Sequence, residues 1–229
     1  MKNLKKLLMT FIGIIAVAMC VTSCLNSEDD SIDAVTQQRY QQLMSGMYSG
    51  KARFYQLKST GMLSSQKTYV KYDSIRTTWD VNADSTFRIN NFPVFMLDSA
   101  VVVEKSATGT EAEKYRALNQ AIRALKNSSE GYLMWTKARY VIPSTSWVSE
   151  NVIQFYVQPY TIELKKINFD GAEHTVYFVF SPYTTGAFSS TNRKFQAQLA
   201  LSAVCIDKLD SSHTVPSQFM NSIVVTLAD

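Results

Sequence analysis

Residues 74 to 91 alternate. Ile75, Thr77, Trp79 and Val81 share one parity against Arg76, Thr78 and Asp80, and Phe87 and Ile89 do the same against Thr86, Arg88 and Asn90. A period of two is that of a strand with one face buried and one in water. Asn82-Ala83-Asp84 carries turn chemistry between the two runs, which predicts a hairpin. Asn91-Phe92-Pro93 predicts its end, since proline cannot donate to a ladder; Val101 to Glu104 predicts a resumption. The C-terminal half repeats the pattern. Ile153, Phe155 and Val157 alternate with Gln154, Tyr156 and Gln158, and Ile162 and Leu164 continue past Pro159. Asp170-Gly171 is a strong hairpin signal, with Val176, Phe178 and Phe180 on one face beyond it. Ser181 to Asn192 reads as a long polar loop. Phe195, Ala197, Leu199, Leu201, Ala203 and Cys205 then line one face of a long strand, and Phe219, Ile223, Val225 and Leu227 close the chain.

Two stretches change period. Ile32, Val35, Tyr40, Leu43, Met44 and Met47 recur at roughly helical spacing and predict a short helix ending near Gly46. Thr110 three residues before Glu113 reads as a capping box. Tyr115, Leu118, Ile122 and Leu125 make one apolar face of the helix that follows, which should stop near Asn127. The expected fold class is therefore mainly β, an antiparallel β-sandwich or barrel with a short N-terminal helix and one capped helix near 110–127. Residues 32–229 read as a single β-rich domain.

The N-terminus is of a different kind. Lys2, Lys5 and Lys6 precede an almost wholly apolar run from Leu7 to Val21. About 20 apolar residues are needed to span a bilayer as a helix, so this shorter run reads as a secretory signal rather than a retained anchor. Val21-Thr22-Ser23-Cys24 resembles the lipobox of bacterial lipoproteins. The resemblance implies cleavage before Cys24, leaving residues 1–23 as signal peptide, acylation of that cysteine, and membrane attachment through its lipid. Residues 24–31 read as an acidic tether. Glu28, Asp29 and Asp30 just behind the cysteine resemble the surface-export signal of lipoproteins from Bacteroidota-type Gram-negative bacteria, which implies an outer-membrane, surface-exposed location. The alternative for such an acidic run is a solvated tether.

Removing residues 1–23 takes three lysines with it and leaves 20 Lys+Arg against 19 Asp+Glu, a net charge of +1. Lys165-Lys166 and Arg193-Lys194 are isolated pairs, and no dense basic run is visible. The expectation is accordingly no nucleic-acid partner. Cys205 is the one cysteine left after Cys24 and Cys20 are set aside; it sits in an apolar alternating run and reads as a small core residue.

Short motifs carry a family likeness. Gly46-Met47-Tyr48-Ser49-Gly50 opens the first strand, Asn90-Asn91-Phe92-Pro93 falls mid-chain, and Asn168-Phe169-Asp170-Gly171 sits in a later hairpin. With the lipobox, these resemble the lipoprotein families of unknown function common in gut Bacteroidota, with a lipocalin-like or calycin-like barrel. The likeness implies an envelope location and assigns no catalytic residue. Asp30-Ser31, Asp73-Ser74, Asp84-Ser85 and Asp98-Ser99 resemble the O-glycosylation acceptor of these bacteria, making Ser31, Ser74, Ser85 and Ser99 candidate modification sites. The structural alternative is turn chemistry, which Asp-Ser pairs serve well.

Other chemistry finds little purchase. His174 and His213 stand alone in sequence and read as solvated turn residues, with no partner set for a triad or a zinc site. Glu111 and Glu113 fit the first turn of a helix; Asp80, Asp84, Glu163, Asp170 and Glu173 flank turns and read as solvated. No catalytic residue, metal or cofactor is expected, and a carboxylate hydrolase is the low-ranked alternative to a non-enzyme. Of 26 mature aromatic residues, most belong to core or cross-strand pairs. Trp147, in the polar Pro143–Glu150 loop, and Trp135 with Tyr132 are the candidate ligand contacts. The expected role is a binding or accessory module of the cell envelope, with a glycan as candidate ligand. A lipocalin-like carrier of a small apolar molecule and a purely structural protein are the alternatives.

Overall fold

The computed structural model describes residues 31–59 and 67–229. Cys24, Glu28, Asp29 and Asp30 therefore lie outside the described residues. Helix α1 spans Ala34–Met44. Its cap is Asp33, whose carboxylate accepts from the N–H groups of Val35 and Thr36, each at 3.0 Å; this satisfies two of the donors that a helix start leaves orphaned. Among the described residues ten strands follow: β1 (Gly46–Ser59), β2 (Lys67–Val81), β3 (Thr86–Pro93), β4 (Tyr132–Val141), β5 (Val152–Pro159), β6 (Ile162–Phe169), β7 (Ala172–Phe180), β8 (Thr184–Ser189), β9 (Lys194–Ile206) and β10 (Ile223–Ala228). Helix α2 (Thr110–Ala124) lies between β3 and β4.

All pairings are antiparallel, and the order β10-β1-β2-β3-β4-β5-β8-β9 closes when β9 pairs with β10. The result is an eight-stranded barrel, so of the two architectures the sequence left open, closure wins; it removes the edges that a sandwich would leave. β6, β7 and the C-terminal part of β9 carry the sheet past the barrel, Val176–Phe180 pairing with Ile206–Leu201. α2 packs over β6 and over a 3₁₀ helix at Val94–Ala100. Tyr115 on α2 meets Phe219 at 4.9 Å between ring centroids.

Inside the barrel, rings from many strands meet around Phe195. Its centroid lies 5.2 Å from Tyr48, 5.6 Å from Phe87, 5.1 Å from Phe155 and 6.2 Å from Trp79. All five are buried.

Both hairpin turns stand where turn residues predict them, and α2 gives way to a 3₁₀ turn over Leu125–Asn127. Four local readings need correction. Thr110 is not the α2 cap: Gly109 is, with φ 103°, a value that glycine adopts freely and threonine does not, and its carbonyl accepts from Glu113. Val101–Glu104 forms no strand beyond a bridge from Val101 to Met220, because the chain first turns into the buried 3₁₀ helix. The alternation of β9 slips after Leu201, where its pairing passes to β7 across an irregularity at Val179/Phe180, so Val204 is fully buried and Ala203 is not.

The fourth is the polar loop at 181–192, which contains β8. A Cβ on Gly186 would lie 2.2 Å from the Phe155 ring. Glycine marks close approach here, not a turn. Gly186→Ala must push a core ring or separate β5 from β8, and we expect a loss of about 1–3 kcal/mol by urea denaturation. A loss below about 0.5 kcal/mol would mean that the ring has room to give.

Candidate functional site

Trp147 is held by a single 3₁₀ turn, Thr145–Trp147, in the loop between β4 and β5. The turn is fastened by Val148 N–H to Thr145 O at 3.0 Å and by Ser144 and Ser146 hydroxyls 2.7 Å apart. Val148 bridges to Ile153, so the loop folds back along β5. Trp147 thereby reaches the outer face of β5 and packs on Tyr156, with centroids 4.5 Å apart and planes at 48°. Tyr183, in the bend between β7 and β8, meets Tyr156 edge-on at 5.9 Å and is 64% exposed. Three rings from three segments thus form one cluster on the outside of the barrel.

The reason is the strand period. Ile153, Phe155 and Val157 point inward and are buried, so Gln154, Tyr156 and Gln158 are left outside, each half-buried. Register places Tyr156 between Val141 of β4 and Thr185 of β8, and Gln158 beside the exposed Arg139. Aromatic faces ringed by amide, hydroxyl and guanidinium groups suit a ligand that has both C–H faces and hydroxyls. Tyr156 and Tyr183 were not singled out from the sequence. Outward parity on β5 was legible for Tyr156; its meeting with Trp147 depended on the loop.

The other two candidate aromatics do not join this cluster. Trp135 is a core residue, 5% exposed, packed between Phe92 at 4.9 Å and Phe180 at 4.7 Å. It shares the buried face of β4 with Ala138 and Tyr140, across an irregularity in the β3–β4 pairing that lies between them, which corrects its reading as a ligand contact. Tyr132 is exposed, but its partner is Phe95 at 5.4 Å, at the start of β4.

The Asp-Ser serines fall in four settings. Ser31 is exposed just before α1, and Ser74 is half-buried in β2. Ser85 stands at φ 63° in the β2–β3 turn, where Asp84 accepts from the Thr86 N–H at 2.9 Å and from its hydroxyl. Turn chemistry accounts for that motif. Ser99 is 3% exposed and its hydroxyl donates to Met96 O at 2.8 Å. A glycan has no room there, which corrects Ser99 as an acceptor in the folded chain.

Several isolated groups acquire partners. Asp98 is buried and faces Arg123 of α2 at 2.7 Å. Asp80 is also buried, not solvated as its place beside a turn suggested, and its Oδ2 accepts from Arg88 Nε at 2.7 Å. His174 lies in β7 rather than a turn; it stacks on Phe169 at 4.3 Å, with Nδ1 2.9 Å from Asp207. That contact holds the Asp207 carboxyl below its ordinary range. Cys205 is buried.

Asp210, Ser212 and His213 meet at a 3₁₀ turn, and the wiring matters. Both Asp210 Oδ1, at 2.6 Å, and Ser212 Oγ, at 3.0 Å, address the same His213 Nδ1, while the Ser212 hydroxyl also donates to Asp210 at 2.7 Å. A triad needs acid and nucleophile on opposite ring nitrogens. This arrangement is a turn cap, and the Ser212 hydroxyl followed by the His213 ring draws the Asp210 carboxyl down to about 2.

Residues 43–206 match the model of a family described as a domain of unknown function, DUF4840. No curated protein and no solved structure matches the chain.

Proposed function

The chain belongs to the DUF4840 family, and from that premise we propose that it is a lipid-anchored binding module of the cell envelope that takes a neutral glycan on the outer wall of its barrel. The Trp147–Tyr156–Tyr183 cluster carries this reading. An exposed Tyr and a half-exposed Trp packed on a third ring have already lost their rotamer freedom, so a sugar ring can stack on them at low entropic cost. The lipobox at Cys24 and the acids at 28–30 support the envelope location. The packing around Phe195 favours the outer wall over the barrel interior as the place where a ligand sits.

The location is tested by palmitate labelling of cells carrying the wild type or Cys24→Ala, and by protease shaving of intact cells. Label on the variant equal to wild type would remove the anchor. Binding is tested on a neutral glycan array followed by calorimetry on the best hit. Trp147→Ala and Tyr183→Ala should each weaken that hit by roughly thirtyfold, the loss of about 2 kcal/mol that defines an interface hot spot. Unfolding temperature should move little. Undiminished affinity in both variants would refute the platform.

A further inference from the structure

On the opposite wall of the barrel, the β1–β2 pair assembles a basic surface that the sequence keeps apart. Lys51 is the register partner of Arg76, Arg53 of Ser74, and Tyr55 of Lys71. The intervening Ala52 and Phe54 are fully buried, as are Thr77 and Trp79 nearly so on β2, which turns Lys51, Arg53 and Arg76 outward. Lys51, Lys71 and Arg76 are exposed and Arg53 is half-buried. Like charges directly opposite on paired strands are destabilising. Among the described residues none of the four lies in an ion pair with an acid. An unneutralised cationic row, on a mature chain with a net charge near +1, concentrates positive potential where nothing in the fold requires it.

The surroundings narrow the partner. Ser49 faces Thr78 on the same side, Arg53 faces Thr226 of β10, and Thr226 faces Gln198 of β9. Tyr55 stands at the end of the row. Hydroxyls, amides and one aromatic ring beside four cations match a chain of sugars bearing carboxylate, sulfate or phosphate groups. Met47, 74% exposed on the same parity of β1, is a single apolar side chain beyond the end of the row; a bilayer surface would be better met by several among the cations. We propose that the outer face of β1 and β2 binds an acidic polysaccharide. β1 and β5 are four strands apart whichever way the barrel is counted. An acidic chain held here therefore leaves the aromatic cluster facing away and free. The proposal does not depend on that cluster or on the lipid.

The test uses the full chain in detergent, with dextran sulfate as the anionic probe and unmodified dextran as its neutral counterpart. Wild type should bind dextran sulfate at low salt, lose it as salt rises, and ignore dextran. Lys51→Gln/Arg76→Gln should bind about tenfold more weakly, since two exposed, salt-screened charge contacts are lost together. Its unfolding temperature should hold or rise, because the opposed pair repels itself. Lys105→Gln/Lys208→Gln, which changes net charge equally at exposed positions elsewhere, should bind like wild type. Equal losses in the two double variants, or equal binding of dextran, would overturn the site. Tighter binding, at equal charge concentration, to duplex DNA or to phosphatidylglycerol vesicles would overturn the choice of partner.

Discussion

Phe195→Ala should lower the unfolding free energy by about 4 kcal/mol, well within the range for truncating a buried phenylalanine. Phe195 has no exposed surface and packs against Tyr48, Trp79, Phe87 and Phe155. Those rings come from β1, β2, β3 and β5, while Phe195 comes from β9. Removing the phenyl group leaves a space walled by four rings fixed to four strands. The barrel is closed, so no strand can move inward without breaking ladders on both sides. Poor relaxation is what drives such losses towards the large end, and each lost aromatic pairing adds about 0.5–1.5 kcal/mol beyond area. Phe195→Leu keeps most of the volume and should lose less than about 2 kcal/mol. Urea denaturation with an unchanged m-value decides the matter. A loss below about 2 kcal/mol for the alanine variant would show that the interior collapses readily, and the ring cluster would not be the centre of the core.

The second large effect is expected at Arg123, although it is the exposed member of its pair. Asp98 in the 3₁₀ helix has a side chain only 2% exposed, against 61% for Arg123. Its carboxylate accepts from Arg123 Nε at 2.7 Å and lies 3.3 Å from the Tyr72 hydroxyl of β2. Asn119 of α2 adds bonds from its amide to Asp98 O and Val101 O, each at 2.8 Å. One polar group thus joins α2, the 3₁₀ helix and β2. Arg123→Met leaves a buried charge with a weak neutral donor. Stranding one partner of a buried pair costs about 3–5 kcal/mol; the open approach on the arginine side places this case near 3 kcal/mol. Asp98→Leu strands only an arginine that water already reaches, and should lose less. The double variant Arg123→Met/Asp98→Leu should recover much of the single loss, giving a coupling energy in a double-mutant cycle. A cost under 1 kcal/mol for Arg123→Met would class the pair with ordinary surface contacts.

The same residues mark the division between local and distant information. Asp98-Ser99 reads as a turn or a modification motif because neighbouring residues are all that the sequence offers. Arg123 and Tyr72, its partners, lie 25 and 26 positions away. Trp147 illustrates the intermediate case. A tryptophan in a polar loop was legible as a surface aromatic, but Tyr156 meets it from β5, and Tyr183 joins them on Tyr156 only through the bend between β7 and β8. Trp135 was misread because β4 was not identified as a strand, and because the irregularity between Trp135 and Ala138 breaks the alternation that would have turned it inward.

What the sequence determined by itself is what depends on a few adjacent side chains. Alternation of period two set the β class and the inward parity of Phe155, Phe178 and Phe195. Asn82-Ala83-Asp84 and Asp170-Gly171 set two turns, and helical spacing set α1 and α2. Tertiary structure alone decided closure into a barrel, which follows from β9 finding β10 and not from either strand's composition. It made Gly186 a strand residue, because Phe155 arrives from another strand to occupy the place of a side chain. It also turned scattered cations into a surface. Lys51 and Arg76 are 25 residues apart, and pairing of β1 with β2 sets them opposite one another. A chain read one residue at a time shows charge balance; only the register of its strands shows where the charge is concentrated.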